Sequence, residues 1–394
     1  MSAVAPTARP TVAPFAAVSF AYFAYAGLIG TYGPLWFQSL GYSTLAIGVL
    51  TSLQAGTRLF SPYAWGWLAD QTGRRELLLR IAAGAALVAS LGFFFPAGYA
   101  WVATVTVALF VCTAGVIPIS EATLAQRVST EGRLDVGRYG RVRMWGSVGF
   151  VGAVTASGFI LQASGVGRFP VLVVALLAVL VLAAWRLPAS SELPQLQTVA
   201  AGALSVLRQP VVAWFFAGVF LTVLAHTSLY AFYSLYLASL GYDKSAIGVL
   251  WALAVTAEVA WFWFQGRWIH RLSLHAWLVT AALTSALRFA LIAAFGGEVL
   301  VLVAAQLLHA LSFAAQHSAC IAVITRHFPG RLRGRGQALY AVLGYGASGV
   351  VGGVAGGALS QVYGFASVFW AAAGVSLVAA WCCRQALTID RAQG

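Results

Sequence analysis

Apolar residues fill this chain in stretches of about twenty, and short polar segments separate one stretch from the next. A helix needs roughly 20 apolar residues to cross the hydrocarbon layer of a membrane. The stretches are too long for the alternating strands of about ten residues that build a membrane barrel, so they predict an all-α integral membrane protein with twelve transmembrane helices. They lie at about 15–37, 44–68, 77–95, 100–124, 141–162, 169–187, 210–237, 245–265, 275–295, 298–325, 337–360 and 364–384.

Composition agrees with a membrane location. Hydrophobic residues make up 61% of the 394 residues and charged residues only 8%, which is too little polar surface to coat a water-soluble globule of this size. The net charge of +13 does not indicate nucleic-acid binding, because the basic residues concentrate in the loops on one side of the predicted membrane. The positive-inside rule places that side and both termini in the cytoplasm. Acidic lipid headgroups of the cell inner membrane are the expected partners of these arginines.

The order of the stretches predicts two six-helix bundles with little chain left for a separate soluble domain. The polar stretch in the middle of the chain is interpreted as the connection between them. The expected domains are a cytoplasmic N-terminal tail (1–14), an N-terminal bundle (15–187), a cytoplasmic linker (188–209), a C-terminal bundle (210–384) and a cytoplasmic tail (385–394).

An internal repeat supports this division. Residues 39–50 read SLGYSTLAIGVL and residues 239–250 read SLGYDKSAIGVL, so nine of twelve positions agree at an offset of 200 without a gap. Both copies lie between the first and second helix of a half, where hydrophobicity alone is a poor explanation of the match. A duplication in one orientation predicts two pseudo-symmetric bundles with a solute site near mid-membrane between them.

A short motif after the second predicted helix carries a family resemblance. Residues 66–75 read GWLADQTGRR, which resembles the signature between helices 2 and 3 of major facilitator transporters. We expect the first glycine to permit close helix packing, the aspartate to interact with a helix N-terminus and the arginines to prefer the anionic inner surface. The residues of the implied gating motif are Gly66, Asp70, Gly73, Arg74 and Arg75.

A finer resemblance covers most of the chain. Residues 140–147 read GRVRMWGS at the start of the fifth predicted helix, and residues 308–313 read LHALSF in the tenth, followed by His317. These segments resemble the phenylpropionic acid permease group, which is related to the lactose-type proton symporters. The resemblance implies import of a small solute, often an aromatic carboxylate, driven by a proton. It also implies that Glu121 and Arg143 line the substrate site.

Five ionisable side chains lie inside apolar stretches, where each costs roughly 2.5 to 3.5 kcal/mol to insert, so they need partners or a hydrated cavity. Glu121 and Arg143 are placed to pair, either as a structural ion pair or with Arg143 as the anchor of a substrate carboxylate. Glu258 and Arg288 lie near mid-membrane. Glu258 is expected either to carry the coupled proton or to form a permanent structural ion pair with Arg288. We expect Arg58 either to donate hydrogen bonds to nearby backbone or to face the cavity. The predicted proton-coupling residues are Glu258, His309, His317 and Arg288.

Polar and aromatic residues recur at helical spacing on the first, seventh and tenth predicted helices. Six of them on the tenth helix fall within an arc of about 100°. Such a face does not suit lipid, and the family resemblance implies that these helices line a central cavity; hydrogen bonding between packed helices is the alternative. The predicted substrate-binding residues are Arg143, Glu121, Arg58, Tyr25, Tyr32, His226, Tyr230, Tyr233, Gln306 and Phe313.

Together these patterns predict a secondary active transporter, a monomer that imports a small organic solute with protons by alternating access and needs no cofactor or metal. The main alternative is a proton-driven exporter of amphipathic compounds, and a sugar, nucleoside or siderophore is the alternative cargo. A membrane enzyme or sensor fits less well, because the sequence contains no evident catalytic triad, metal cluster or appended catalytic domain. The expected partners are the solute, protons and membrane lipids.

Overall fold

The structure is a computed structural model that describes residues 12–130, 133–188, 203–329 and 332–393. The described residues are almost entirely helical. The first half contains α1 (Ala13–Ser39), α2 (Thr44–Thr57), α3 (Ser61–Thr72), α4 (Arg75–Ser90), α5 (Tyr99–Thr113), α6 (Val116–Arg127), α7 (Val136–Ser164) and α8 (Phe169–Trp185). Two strands of two residues, β1 (Ser129–Thr130) and β2 (Arg133–Leu134), pair antiparallel between α6 and α7.

The second half follows the same order. It contains α9 (Ala203–Leu207), α10 (Pro210–Ser239), α11 (Lys244–Phe264), α12 (Leu274–Phe295), α13 (Val299–Leu307), α14 (Gln316–His327), α15 (Arg333–Leu339), α16 (Ser348–Tyr363) and α17 (Phe365–Gln393). π-helical turns at Ala310–Ala315 and Tyr340–Ala347 join α13 to α14 and α15 to α16, so each of these pairs forms one long crossing.

Eleven helical stretches among the described residues are long and apolar enough to cross a membrane. The remaining predicted crossing, at 44–68, is not one continuous helix. α2 ends at Thr57, and α3 begins at Ser61 with a proline in its first turn. Proline has no backbone N–H and clashes with the preceding turn, which accounts for the break. The all-helical membrane fold is confirmed, with this one crossing divided in two.

Within each half, long helices pack around the first helix of that half. α1 contacts α7 and α8, and its counterpart α10 contacts α16 and α17. The two halves meet through α2 against α16 and through α7 against α11. These two contacts leave the central faces of α1, α6, α10 and the π-helical crossing directed at each other, which is where the candidate site lies.

The predicted tails and linker are described only in part. Residues 1–11 of the N-terminal tail and 189–202 of the linker lie outside the described residues. The predicted C-terminal tail continues α17 as helix to Gln393. Asp390 near that end accepts from His275 Nδ1 at 3.1 Å and pairs with Arg326 Nη1 at 3.1 Å, which ties the end of α17 to α12 and α14.

Candidate functional site

The duplicated sequence forms the tightest contact between the two halves. A Cβ on Gly48 would collide with the Gly353 carbonyl oxygen and lie 2.9 Å from Gly357 Cα in α16. A Cβ on the equivalent Gly248 would collide with the Val154 carbonyl oxygen in α7. Only glycine allows backbones to approach so closely. We call this end of the molecule, which carries loops 40–43 and 240–243, the closed side.

Hydrogen bonds between the halves complete the seal. The first turn of a helix leaves its backbone N–H groups without partners in the helix. At the closed side, Leu45 N–H of α2 donates to Gln361 Oε1 of α16 at 3.3 Å. Lys244 N–H of α11 donates to Gln162 Oε1 of α7 at 3.0 Å. Each half therefore supplies a glutamine that caps the second helix of the other half.

Tyr32, one of the predicted substrate contacts, belongs to this seal. Its side chain is fully buried, and its hydroxyl lies 2.7 Å from the Val154 carbonyl oxygen and 3.0 Å from that of Lys244. A hydroxyl has one proton to donate, so the two carbonyls occupy it completely. The structure does not bring Tyr32 to the central cavity, and its polar atom is not available to a solute in this conformation.

Glu121 and Arg143 form an ion pair in the N-terminal half, as their positions suggested. Arg143 Nε lies 2.7 Å from Glu121 Oε1, and the two side chains are 40% and 30% exposed. The guanidinium lies 4.4 Å above the ring of Phe23, a cation–π contact, and the Tyr139 hydroxyl interacts with Glu121. Because the charge of Arg143 also acts on Glu258 of the other half, we interpret this exposure as a cavity between the two halves.

Arg288 is fully buried in the C-terminal half and bonds only neutral groups among the described residues. Nε donates to the Ala305 carbonyl oxygen at 2.7 Å and Nη2 to Gln306 Oε1 at 2.8 Å. Nη1 reaches His309 Nδ1 at 2.8 Å and Ser312 Oγ at 3.4 Å. The predicted ion pair between Arg288 and Glu258 is not formed, because His309 lies between them.

The tautomer of His309 follows from this contact. A guanidinium can only donate hydrogen bonds, so His309 Nδ1 must accept and its ring proton must sit on Nε2. Nε2 points toward Glu258 Oε2 at 3.7 Å. While Arg288 holds Nδ1, His309 has no lone pair free to take up a second proton. The geometry thus makes His309 a positioned donor in this conformation.

Glu258 faces the N-terminal half across the cavity. Its side chain is 23% exposed, and its charge interacts with those of His317 and Arg143. Arg143 also acts on His317. The ionisable groups of the two halves are therefore close enough to interact electrostatically.

An aromatic row follows the π-helical crossing. The rings of His309 and Phe313 stack at 5.0 Å with an interplanar angle of 7°, and those of Phe313 and His317 at 6.2 Å and 16°. The row continues through Tyr340 at 5.9 Å to Tyr345 at 5.4 Å. Because these rings stack on one another, they present mainly their edges to the space beside the row.

The predicted residues of α10 divide between this cavity and the helix packing. Tyr230 is 37% exposed, stacks on Trp251 and interacts electrostatically with Glu258. His226 is buried, and because its Nδ1 donates to the Thr222 carbonyl at 2.8 Å, its Nε2 is an acceptor without a partner. Tyr233 is fully buried and lies beside the amide of Gln306.

The remaining predicted contacts lie on α1 and at the break in the second crossing. Tyr25 of α1 is 2% exposed, and its hydroxyl faces Thr113 of α5. Arg58 is exposed where α2 ends, and its charge acts on Tyr22 and Tyr230. Arg58 therefore lies near the cavity, whereas Tyr25 lies in the packing between helices.

The gating motif lies at the end opposite the seal. Gly73 caps α3 with φ of 61°, a left-handed conformation that favours glycine. Asp70 pairs with Arg75 at 3.4 Å, and Arg75 also donates to Gln126 Oε1 at 2.9 Å, while Arg74 is exposed. The expectation of close packing at Gly66 is wrong for this conformation, because a Cβ there would meet nothing within 4 Å.

Some residues of this site were not predicted from the sequence. Phe23 and Tyr139 frame the ion pair, Tyr345 ends the aromatic row, and Gln162 and Gln361 cap helices across the seal. The glutamines carried a usable signal, since each is an isolated polar residue near the end of a predicted helix on the same side as the repeated loops.

Comparison with known proteins agrees with this architecture. A sequence profile described as the MFS_1 like family matches residues 14–371. The chain belongs to this family of major facilitator transporters. The probable 3-phenylpropionic acid transporter of Escherichia coli (strain K12) is 29% identical over 370 residues, which cover 91% of this chain and 94% of that protein. The maltose permease of Geobacillus stearothermophilus is 28% identical over 72% of this chain and 70% of its own length.

Solved structures give the same fold for this transporter. The nucleoside transporter NupG superposes with a TM-score of 0.83 at 18% identity, covering 95% of this chain and 98% of that one. A bacterial homologue of the human lysosomal transporter Spinster, in an inward-facing and unoccupied conformation, superposes with a TM-score of 0.71 at 15% identity, covering 96% and 97%. The relatives are transporters and not enzymes, and the predicted recognition of a major facilitator protein is confirmed.

Proposed function

We propose that this transporter imports a small aromatic carboxylate together with a proton by alternating access. The observation that carries the proposal is the half-exposed pair of Arg143 and Glu121 facing the aromatic row and Glu258 across one cavity. The relative named a probable 3-phenylpropionic acid transporter supports the same class of solute. The basic loops support a location in the cytoplasmic membrane with both termini in the cytoplasm, and the proposed transporter acts as a monomer.

Arg143 is the proposed anchor of the solute carboxylate. A guanidinium binds a carboxylate through two parallel hydrogen bonds, and Glu121 already occupies one edge at 2.7 Å. An incoming carboxylate competes for the same donors or adds to the free edge. Phe313 and His317 are partly exposed and stacked, so their ring edges are available for edge-to-face contact with the aromatic ring of the solute.

Glu258 is the proposed proton carrier. Among the described residues no arginine or lysine lies within 4.0 Å of its carboxylate, and the His309 ring at 3.7 Å is neutral, so burying its charge when the cavity closes is costly. Binding a proton removes that charge before closure. His317 is the second proposed carrier, since it interacts electrostatically with Glu258 and its ring bonds Tyr340 and not Arg288.

Uptake into proteoliposomes tests this function. We expect radiolabelled 3-phenylpropionate to accumulate when the external pH is lower than the internal pH, and accumulation to collapse with a protonophore. Arg143→Lys keeps the charge but loses the planar fork, so we expect about tenfold weaker solute binding. Arg168→Gln is the matched control, because Arg168 is exposed at the far end of the same crossing.

Several outcomes would overturn the proposal. Unchanged affinity in Arg143→Lys would remove the anchor. Accumulation that requires the opposite proton gradient would favour the exporter.

The polar groups Gln306, Gln316 and the free Nε2 acceptor of His226 also suit a hydroxylated cargo, and the relatives include a maltose permease and a nucleoside transporter in name. Uridine or maltose that competes with 3-phenylpropionate at lower concentration would establish that cargo instead.

A further inference from the structure

A groove of about 590 Å³ lies between the first turns of α1 and of α7 in the N-terminal half. This volume falls within the range of roughly 300–1,000 Å³ typical of ligand pockets. Its floor and one wall come from α1, and its other wall comes from the first turns of α7. The lining residues are Val12, Ala13, Ala16, Ala17, Phe20, Arg138, Arg141, Val142 and Trp145.

The groove follows from the residue pattern on the two helices. Ala13, Ala16, Ala17 and Phe20 stand at helical spacing i, i+3, i+4 and i+7 and share one face of α1. Three alanines in that face leave the space that larger side chains would fill. Their counterparts on α7, from Arg138 to Trp145, follow the same spacing, so two helix faces line an open groove.

This groove is separate from the central cavity. Arg141 and Trp145 each lie two residues from Arg143, which is about 200° of helical rotation away. The exposed face of α7 beyond the groove is apolar, with Val148 and Phe159 at 44% and 57% exposure. In a membrane-spanning helix, such a face contacts acyl chains.

The geometry points to an anionic phospholipid as the occupant of this groove. The alanine floor accepts an acyl chain, the exposed Arg141 stands at the end of the apolar face where headgroups lie, and Trp145 is 47% exposed beside it. Tryptophan and arginine favour that depth of the bilayer. The sequence of residues 1–11 carries Arg9 and no acidic side chain, so that segment offers the groove no complementary charge.

Lipid retention by the purified full-length transporter tests the inference. We expect native mass spectrometry after delipidation to show phosphatidylglycerol with palmitoyl and oleoyl chains binding more tightly than phosphatidylcholine with the same chains. Arg141→Gln should weaken phosphatidylglycerol binding about fivefold, the effect of one surface arginine, and leave phosphatidylcholine unchanged. Arg267→Gln is the matched control, since Arg267 also lies beside an aromatic ring, Phe264, but lines no such groove.

A second variant separates the groove from a purely electrostatic effect. Ala16→Leu fills the floor and leaves both arginines in place, so we expect it to weaken phosphatidylglycerol binding as well. Equal retention of the two lipids, or full retention by Ala16→Leu, would overturn the inference. So would equal competition by soluble glycerol phosphate, or a gain of bound lipid on deleting residues 2–11, which would identify a free anion site or the chain's own N-terminus as the occupant.

Discussion

The repeated glycines at the closed side make the sharpest prediction about alternating access. Gly48→Ala adds a Cβ where the Gly353 carbonyl oxygen and the Gly357 Cα already stand. Both obstacles are backbone, so neither can turn aside as a side chain can. Extra carbon in a packed interface costs about 1–3 kcal/mol. That cost falls only on the conformation in which this side is closed, because α2 and α16 must separate there to admit solute from that side.

We therefore expect Gly48→Ala to shift the equilibrium between the two conformations by roughly 5- to 150-fold toward opening at this side. Ser52 provides the reporter, because it is 5% exposed and its hydroxyl donates to the Val350 carbonyl oxygen of the other half at 2.8 Å. With the four native cysteines replaced, Ser52→Cys should react with an impermeant maleimide much faster when Gly48→Ala is present.

Gly56→Ala is the matched control on the same helix. A Cβ there would meet only Val350 Cγ2, at 3.7 Å, an ordinary contact. We expect it to leave the labelling rate within about twofold, given the typical size of a surface or tolerated substitution. Equal labelling of the Gly48→Ala and Gly56→Ala proteins would refute the view that the repeated glycine sets the closure of this side.

Two further substitutions test the C-terminal half. Glu258→Gln should abolish accumulation driven by a proton gradient while leaving exchange of labelled for unlabelled solute intact, and equal loss of both activities would remove Glu258 as proton carrier. Arg288→Lys should lower the midpoint of thermal unfolding in detergent, because one ammonium group cannot reach the four acceptors that Arg288 bonds and each unpaired buried acceptor costs about 1–3 kcal/mol. An unchanged midpoint would show that water satisfies those acceptors.

The fold was predictable because the membrane restricts the choices. Every backbone polar group in the hydrocarbon must be paired within its own segment, so a long apolar stretch reads directly as a helix. The one difference, the break between Thr57 and Ser61 in the second crossing, lies where Pro62 stands in the first turn of α3. Nothing in the apolar pattern distinguishes a kinked crossing from one divided into two helices.

Most residues of the candidate site could be predicted from the sequence, whereas their contacts with one another could be predicted less well. Glu121 and Arg143 face each other because both sit one or two turns from the same ends of adjacent crossings. The partner of Arg288 was not predictable by counting residues, because it depends on which faces of α12 and of the tenth crossing meet, and these bring Arg288 to Gln306 and His309. Tyr32 has the same helical spacing as the tyrosines near the cavity but lies at the closed side. Helical periodicity shows which face a residue occupies and not its depth in the membrane.

The distribution of polar groups along the interface gives a physical reason for coupling. The closed side is sealed by glycine contacts and neutral hydrogen bonds, such as that of Lys244 N–H with Gln162, so it closes without burying charge.

The opposite side must close over Arg143 and Glu258, whose charges face each other across the cavity. An empty, unprotonated cavity would then bury a carboxylate without a close cation, which costs several kcal/mol. On the proposed mechanism a proton on Glu258 removes that penalty, so the protonated transporter changes conformation readily. Glu258→Gln removes the penalty permanently, which is why it should retain exchange and lose only the dependence on protons.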